Sequence, residues 1–520
     1  MLSMIASPNS VNQPFSSFMN TPEQPTPAPQ PVSRRDFFRI GAGAAVAGAL
    51  TVEQSAWAAG SDEIKIGMIG CGGRGSGAGN QALSSPHPGI RLVAMADLNK
   101  ENLDKSLSNL RNAHADKVDV PEKNQFSGLG AYKEILANSD VNLVILATPP
   151  GFRPYHFEAA VNAGKNIFME KPVAVDAPGV RKVHEMAQIA DQKGLKVACG
   201  LQRRYQNSYR AAWKAVKEGV IGEITGGQMY WNGTTPWYRD RKPDQTELQY
   251  QLMNWYYFTW LCGDHINEQH IHNLDVANWF MGAMLPARAG APGPMDKFDG
   301  IHAIHDATPV EAQGMGGRQQ RAEKKHGQIY DHHAVEYTYS NGVRIASQCR
   351  HMNGTFSQVR EEFAGAKGIL KLSPGSAVAT DYSGKEIWRY VPAAGPAAAP
   401  VEATGPGKKR NRGAGTDPDP YQTEHNELQQ AVRENTYRNN AYYTGDSTMT
   451  SLLGRMCTYS GKKITWDEAY NSKVQHMPNI VTDQTEAPVK ADANGWYPIA
   501  IPGWTAKEYA DHGLQPVEIV

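Results

Sequence analysis

The chain has 520 residues, with 52 Lys+Arg against 52 Asp+Glu, so its formal net charge is zero and a nucleic acid or other polyanion partner is disfavoured. With 40% hydrophobic and 20% charged residues, the composition is that of a soluble globular protein rather than a disordered or membrane-embedded one. The length suits two folded domains once a leader and surface insertions are set aside.

Residues 1–32 are rich in Pro, Ser, Asn and Gln and carry no apolar period, which predicts a disordered arm. The run from Ser33 to Val52 then brings together Arg34-Arg35, Phe37-Phe38, Arg39 and a Gly/Ala-rich apolar stretch. It resembles a twin-arginine export signal, and Ala56-Trp57-Ala58 supplies the small-x-small pattern of a cleavage site. Residues 1–58 are therefore expected to be arm and signal, and the mature protein periplasmic. The apolar stretch holds about a dozen residues, short of the ~18 to 20 that span a bilayer, so no membrane span is expected after cleavage.

The run Ile64 to Ile69 reads as a short buried strand, followed at once by Gly70-Cys71-Gly72-Gly73-Arg74-Gly75. A second apolar run, Arg91 to Ala96, ends at Asp97, 22 positions beyond Gly75. That is the spacing at which an acid meets the ribose hydroxyls of a dinucleotide held by a glycine turn and a helix N-terminus. A carboxylate there favours NAD, while Lys100 keeps NADP open. The alternation goes on through strand Val141 to Ala147 with Thr148-Pro149-Pro150, helix His156 to Ala163, strand Asn166 to Met169 ending in Glu170-Lys171-Pro172, helix Val180 to Lys193 and strand Lys196 to Gly200. This rhythm predicts an α/β, doubly wound parallel sheet, a Rossmann domain over residues 59–201.

The glycine run, the Ala147-Thr148-Pro149-Pro150 segment, the Glu170-Lys171-Pro172 triplet and the stretch His272 to Phe280 closed by Gly282 resemble the Gfo/Idh/MocA family, named for glucose-fructose oxidoreductase, inositol 2-dehydrogenase and a rhizopine catabolism protein. The resemblance implies a Rossmann domain followed by an α+β substrate domain with an open, mainly antiparallel sheet, here residues 202–520, which often forms the oligomer interface. It also implies NAD(P)-dependent chemistry at a hydroxyl carbon of a sugar or cyclitol, commonly with retained nucleotide in exported members. By motif, Lys171 is the family's active-site lysine, suited to hold the substrate hydroxyl and stabilise alkoxide character. His272 stands where the family has its DxGxH histidine, whose near-neutral pKa suits proton transfer. Four residues earlier this chain has Glu268 in place of the family's Asp, and His270 in place of its Gly. The resemblance assigns the nucleotide to Gly70, Gly72, Gly73, Arg74, Gly75, Asp97, Thr148, Pro149, Glu170 and Lys171, and the reacting carbon to Lys171, His272 and Glu268.

A strand from Ile224 to Asn232 opens the second domain and leads into an aromatic-rich passage. Arg203, Arg204 and Tyr205, just past the last Rossmann strand, and Trp237 and Tyr238, placed in a loop by Pro236 and Arg239, are the substrate-side candidates, since aromatic faces stack on sugar rings. Runs Ala334 to Tyr339, Val343 to Gln348 and Ile369 to Leu372, with a turn at Asn341-Gly342, predict antiparallel pairing. Leu285 to Gly327 and Ala393 to Pro420, the latter with Lys408-Lys409-Arg410, read as loop excursions. On one continuous helix His265, Glu268 and His272 would share a face, as a metal site requires, but hydride transfer calls for no metal and none is expected. The five cysteines are scattered and read as small core residues.

Three functions follow. The first is an NAD(P)-dependent oxidoreductase acting on CH–OH groups of a small carbohydrate, running a redox-neutral cycle on retained nucleotide. The second is a glycosidase or lyase that oxidises a sugar carbon transiently and eliminates a glycosidic substituent. The third is a non-catalytic nucleotide- or sugar-binding module.

Overall fold

Short apolar runs bounded by glycine build the first layer of the molecule. The computed structural model describes residues 63–294, 305–392 and 417–520; the arm, the signal motif, the Lys408-Lys409-Arg410 patch and most of the second excursion lie outside them. Strand β1 (Ile64–Ile69) is buried almost throughout, so both of its faces need helices over them. There follow α1 (Gly73–Leu83), β2 (Ile90–Asp97), α2 (Lys100–Ala113), β3 (Gln125–Ser127), α3 (Ala131–Ala137), β4 (Leu143–Leu146), α4 (Arg153–Asn162), β5 (Asn166–Met169), α5 (Ala177–Gln192) and β6 (Val197–Cys199). The six strands pair in parallel in the order β3-β2-β1-β4-β5-β6. This is the doubly wound dinucleotide order, whose ligands bind beyond the strand carboxyl ends at the switch point between β1 and β4. Helix α4 starts three residues before the predicted His156, because Pro154 falls in its first turn, where a missing N–H costs nothing.

Beyond β6 come α6 (Asn207–Lys217), β7 (Ile224–Gly233), α7 (Glu247–Met253), α8 (Thr259–Cys262), α9 (His265–Glu268), α10 (Ile271–Met281), β8 (Glu311–Gly317), β9 (His332–Thr338), β10 (Arg344–His351), β11 (Gln358–Gly365), β12 (Gly368–Ser373), β13 (Ser376–Thr380) and β14 (Glu386–Arg389). The chain ends with α11 (Pro420–Glu434), α12 (Ala441–Ser460), β15 (Ile464–Thr465), α13 (Trp466–Asn471) and α14 (Ala506–Asp511). Nine strands form one sheet, β14-β13-β12-β11-β7-β10-β9-β8-β15, antiparallel at every step except β7 with β10. Strands such as β9 and β10 alternate buried and less buried residues, so one face meets the core and the other does not.

Helix α12 lies between the layers, against α5 on one side and β8 and β9 on the other, and every residue in it is buried. Four of its hydroxyls are satisfied along its own backbone: Thr444, Thr448, Thr450 and Ser460 each donate to the carbonyl four residues back, at 2.7 to 3.0 Å. Two expectations are corrected. The predicted excursion 285–327 contains β8, whose sequence Glu-Ala-Gln-Gly-Met-Gly-Gly hides a strand because side chains are missing where backbones meet; a Cβ at Gly314 would stand 2.5 Å from the Ala334 carbonyl oxygen. The 202–520 segment is also not confined to the second layer. Leu428 of α11 is buried in the Rossmann core with Ala78 and Leu143, His425 stacks on Phe168 at 4.0 Å, and Asn439 bridges to Val197.

Candidate functional site

The carboxyl ends of the Rossmann strands open on a cavity of about 1470 Å³, closed on its other side by β7, the end of α9 and the start of α10. All ten residues assigned to the nucleotide line it. Gly70 has φ +96°, a conformation that disfavours a side chain, and Gly75 sits so close to it that a Cβ would come within 1.9 Å of the Gly70 carbonyl oxygen. At Gly72 and Gly73 a Cβ would meet nothing within 4 Å, so that side of the loop is open to the cavity. Helix α1 starts there without a side-chain cap, which leaves N–H donors and the positive end of the helix dipole facing the space where a pyrophosphate fits.

Asp97 also has a structural task. Its Oδ2 accepts from the Cys71 N–H at 2.6 Å and its Oδ1 from the Asn99 N–H at 2.8 Å, so it clamps the glycine loop to the end of β2. Lys100 is tied to Asp104 at 2.7 Å on the surface of α2 and does not line the cavity. The Arg74 guanidinium is engaged by Glu170, donates to Gln81 at 2.9 Å, lies 3.5 Å from Glu424 and covers the Tyr421 ring at 4.9 Å. Gly200 is needed beside it, since a Cβ there would press within 2.5 Å of Glu170 Oε2.

Lys171, Glu268 and His272 stand together on the cavity wall. The Lys171 ammonium donates to the Glu268 backbone carbonyl and stands 3.2 Å from Glu268 Oε1, both side chains being 11% exposed. Burial raises the Glu268 carboxyl above its usual range, with Lys171 opposing; its Oε2 has no partner among the described residues. Burial, and then the charges of Lys171, Arg203 and Arg74, hold His272 well below the usual imidazole value, so it is neutral at ordinary pH. Its ring stacks on Trp231 at 5.8 Å, and its Nδ1 has no partner among the described residues. A largely covered lysine, a carboxyl whose pKa burial raises and a neutral imidazole on one wall form a set able to bind and deprotonate a hydroxyl.

The substrate-side candidates divide. Trp237 lines the cavity, as does Arg203, whose guanidinium is held by Glu361 and lies 5.9 Å from the Trp231 ring. Glu361 is fixed in turn by the Tyr209 hydroxyl at 2.8 Å and the Asn273 amide at 2.6 Å. Arg204 turns away from the cavity: it is buried between Asp275, at 2.7 Å, and Asp306, where it holds two elements together. Tyr205 also lies off the lining, its hydroxyl donating to Asn440 at 2.6 Å, and Tyr238 is 39% exposed with its hydroxyl on Asp240 at 3.2 Å. Residues absent from the sequence reading complete the wall. Arg153, 1% exposed, donates to the Leu146 carbonyl at 2.6 Å and the Thr148 carbonyl at 2.5 Å, fixing the end of β4. His156 meets Thr148 Oγ1 at 3.1 Å, and burial pushes it down to about 3. The local signal for Arg153 was its place just after the Pro149-Pro150 turn; Glu361 and Trp231 lie on strands whose faces only the sheet reveals.

The histidine-rich segment does not form one helical face. The helix breaks at Gln269-His270, so Glu268 and His272 turn to the cavity while His265 points into a separate buried hub. There Asp264 accepts from the His265 ring at 2.8 Å, the Tyr459 hydroxyl at 2.6 Å and the Tyr330 N–H at 2.9 Å, with His333 Nε2 at 3.3 Å. Asp264, His265 and His333 bring ligand-type atoms within 4.8 Å of one another, but the carboxylate is saturated by donors and the charges of buried Arg321 and Arg455 bear on the hub. The group fits a hydrogen-bonding hub better than a cation site.

Residues 64–201 match the model of the oxidoreductase family with NAD-binding Rossmann fold, GFO_IDH_MocA. Over this domain the chain is similar to that family. Curated relatives within and around it include the scyllo-inositol 2-dehydrogenase (NADP(+)) of Bacillus subtilis, 25% identical over 263 residues that are 49% of this chain and 63% of that protein. The inositol 2-dehydrogenase of Pseudomonas syringae is 34% identical over 163 residues, 31% of this chain and 43% of that protein. The chain thus spans between two-fifths and just under two-thirds of these relatives. The fold match extends further: an aldose-aldose oxidoreductase from Caulobacter crescentus superposes with TM-score 0.55 and 16% identity over 78% of this chain and 99% of that one. A scyllo-inositol dehydrogenase from Lactobacillus casei, solved with NAD(H) and scyllo-inositol, gives TM-score 0.53 and 18% identity over 78% and 99%. These likenesses extend over 78% of the chain and show the fold.

Proposed function

We propose that the protein is an NAD(P)-dependent oxidoreductase acting on a CH–OH carbon of a sugar, glycoside or cyclitol, with the nucleotide retained between turnovers. The observation that carries this reading is the presence of Lys171, Glu268 and His272 on the wall of the cavity whose floor is the glycine loop. The curated relatives named inositol dehydrogenases support the substrate class.

When bound, the nicotinamide ring supplies the hydride acceptor. Lys171 binds the reacting oxygen and stabilises negative charge as it develops there. Neutral His272 takes the hydroxyl proton, since burial keeps the ring unprotonated and its Nδ1 has no partner among the described residues. Glu268 holds the lysine ammonium beside the reacting oxygen, through its carboxylate and its backbone carbonyl. Arg203 donates to a second hydroxyl, its orientation fixed by Glu361. We further propose export by the twin-arginine route on the strength of Arg34-Arg35, and assembly of copies through the less buried face of the nine-stranded sheet.

Mass spectrometry of nucleotide released from the denatured protein, with single-turnover absorbance at the reduced nicotinamide band, tests the reading. Lys171→Ala and His272→Ala are expected to slow the hydride step by roughly 10² to 10⁴, the range for losing a proton-transfer group. Absence of bound or bindable nucleotide would overturn the assignment, and an unchanged rate in either variant would remove that residue.

A further inference from the structure

We propose that the cavity takes a substrate of at least two rings: a reacting ring between Trp231, His272 and Lys171, and a second pyranose stacked on a wall built by Trp237 and Trp255. The inference rests on the carbohydrate reading above and narrows it from a sugar, glycoside or cyclitol to a substrate of at least two rings.

Trp237 is 43% exposed, yet the loop carrying it is not slack. On one side Thr235 donates to the His351 carbonyl at 3.2 Å, and the buried Tyr257 hydroxyl donates to the Pro236 carbonyl at 2.9 Å. On the other, the side chain of Asn254, 1% exposed, accepts from the Arg239 N–H at 2.8 Å and donates to the Arg239 carbonyl at 3.0 Å. Buried polar groups thus pin both flanks of an exposed indole, and a rigid exposed aromatic is the form a stacking platform takes, because little side-chain entropy remains to be lost on binding. Trp255 meets Trp237 edge-on, with centroids 6.1 Å apart and planes at 63°, which gives the wall a corner. Arg239 lies 4.9 Å from the Trp237 centroid, donates from Nη1 to the Met253 carbonyl at 3.4 Å and pairs with no carboxylate among the described residues, which leaves its other N–H groups for ring hydroxyls.

This wall is separate from the one at the reacting carbon, where Trp231 rather than Trp237 stacks on His272. Both open on the same space, and its volume of about 1470 Å³ exceeds by about half the ~1,000 Å³ at the top of the range for pockets holding one ligand.

The test is calorimetric titration of the purified protein, with the nucleotide it retains, using matched pairs: glucose against cellobiose and maltose, galactose against lactose, and scyllo-inositol as a one-ring reference. At least one disaccharide is expected to bind about three- to tenfold more tightly than its monosaccharide, the scale of one aromatic stack. Trp237→Ala is expected to collapse that ratio toward one, and Trp237→Phe to keep most of it. Equal binding of every pair overturns the proposal, as does a Trp237→Ala variant that weakens both members of a pair equally. Loss of retained nucleotide in Trp237→Ala would assign the wall to the nucleotide instead. Binding heat does not require turnover, so a disaccharide preference without nucleotide reduction would sink the oxidoreductase reading alone, and reduction by monosaccharides without any preference would sink this proposal alone.

Discussion

Substituting Gly75 by Ala tests the nucleotide loop at its tightest point. The new Cβ would stand 1.9 Å from the Gly70 carbonyl oxygen, where real Cβ atoms keep at least 3.0 Å, so loop and helix must part by about 3.0 − 1.9 = 1.1 Å. Gly70 has little room to yield: its N–H is held by the Ala96 carbonyl at 2.8 Å, and a Cβ on it would lie 2.7 Å from Ala147 backbone. Overpacking of this kind costs about 1 to 3 kcal/mol, or roughly 3 to 10 °C in melting temperature for a domain of this size class. A displacement near 1 Å moves the loop backbone off the position that approaches the pyrophosphate, so retained nucleotide should be largely lost. Gly73→Ala is the informative partner, because its Cβ meets nothing within 4 Å. Its stability should hold or rise by up to about 1 kcal/mol, since alanine orders more cheaply in a helix. Its nucleotide affinity should fall all the same, the methyl taking space the pyrophosphate needs. Scanning calorimetry and titration of nucleotide into stripped protein read both effects. A Gly75→Ala protein that melts and binds like the wild type would refute the close-approach argument, and a Gly73→Ala protein with wild-type affinity would move the phosphates away from α1.

Asp97→Ala should weaken NAD by about 1 to 3 kcal/mol and NADP less, and because Asp97 also holds the Cys71 N–H, some of the loss will be shared by both nucleotides; equal losses would leave only the clamp role. Buried His156, His265 and His270 are pushed down to about 3, about 4 and about 3 by burial, so the unfolded chain binds more protons than the folded one as pH falls below the ordinary value near 6.5. Their contribution to stability is intact above that value and declines toward pH 4 by about 1.4 kcal/mol per pH unit for each, so the urea midpoint should drop between pH 7 and 5; a flat midpoint would mean these rings protonate in place. Arg34→Lys together with Arg35→Lys should trap the protein in the cytoplasm on fractionation, and normal export of the pair would end the compartment proposal.

The first layer was legible in the amino-acid order, because a strand buried on both faces and a glycine turn are local signals: β1 and β5 lie at the residues their apolar runs predict, and the ten residues assigned to the nucleotide line one cavity. Lys171 and Glu268, 97 positions apart, were legible only as separate motifs; the fold makes them a pair. Tertiary structure alone decided between neighbours. Arg203 faces the cavity and Arg204 does not because their carboxylate partners come from elsewhere, Glu361 from 158 positions away and Asp275 and Asp306 from 71 and 102. No local pattern distinguishes two adjacent arginines in a short turn. The same holds for the break at Gln269-His270, which parts His265 from His272, and for α11, whose apolar face finds its partner only when the chain returns to the first sheet. Periodicity reports that a residue will be buried; the choice of what it is buried against belongs to contacts far apart in the chain.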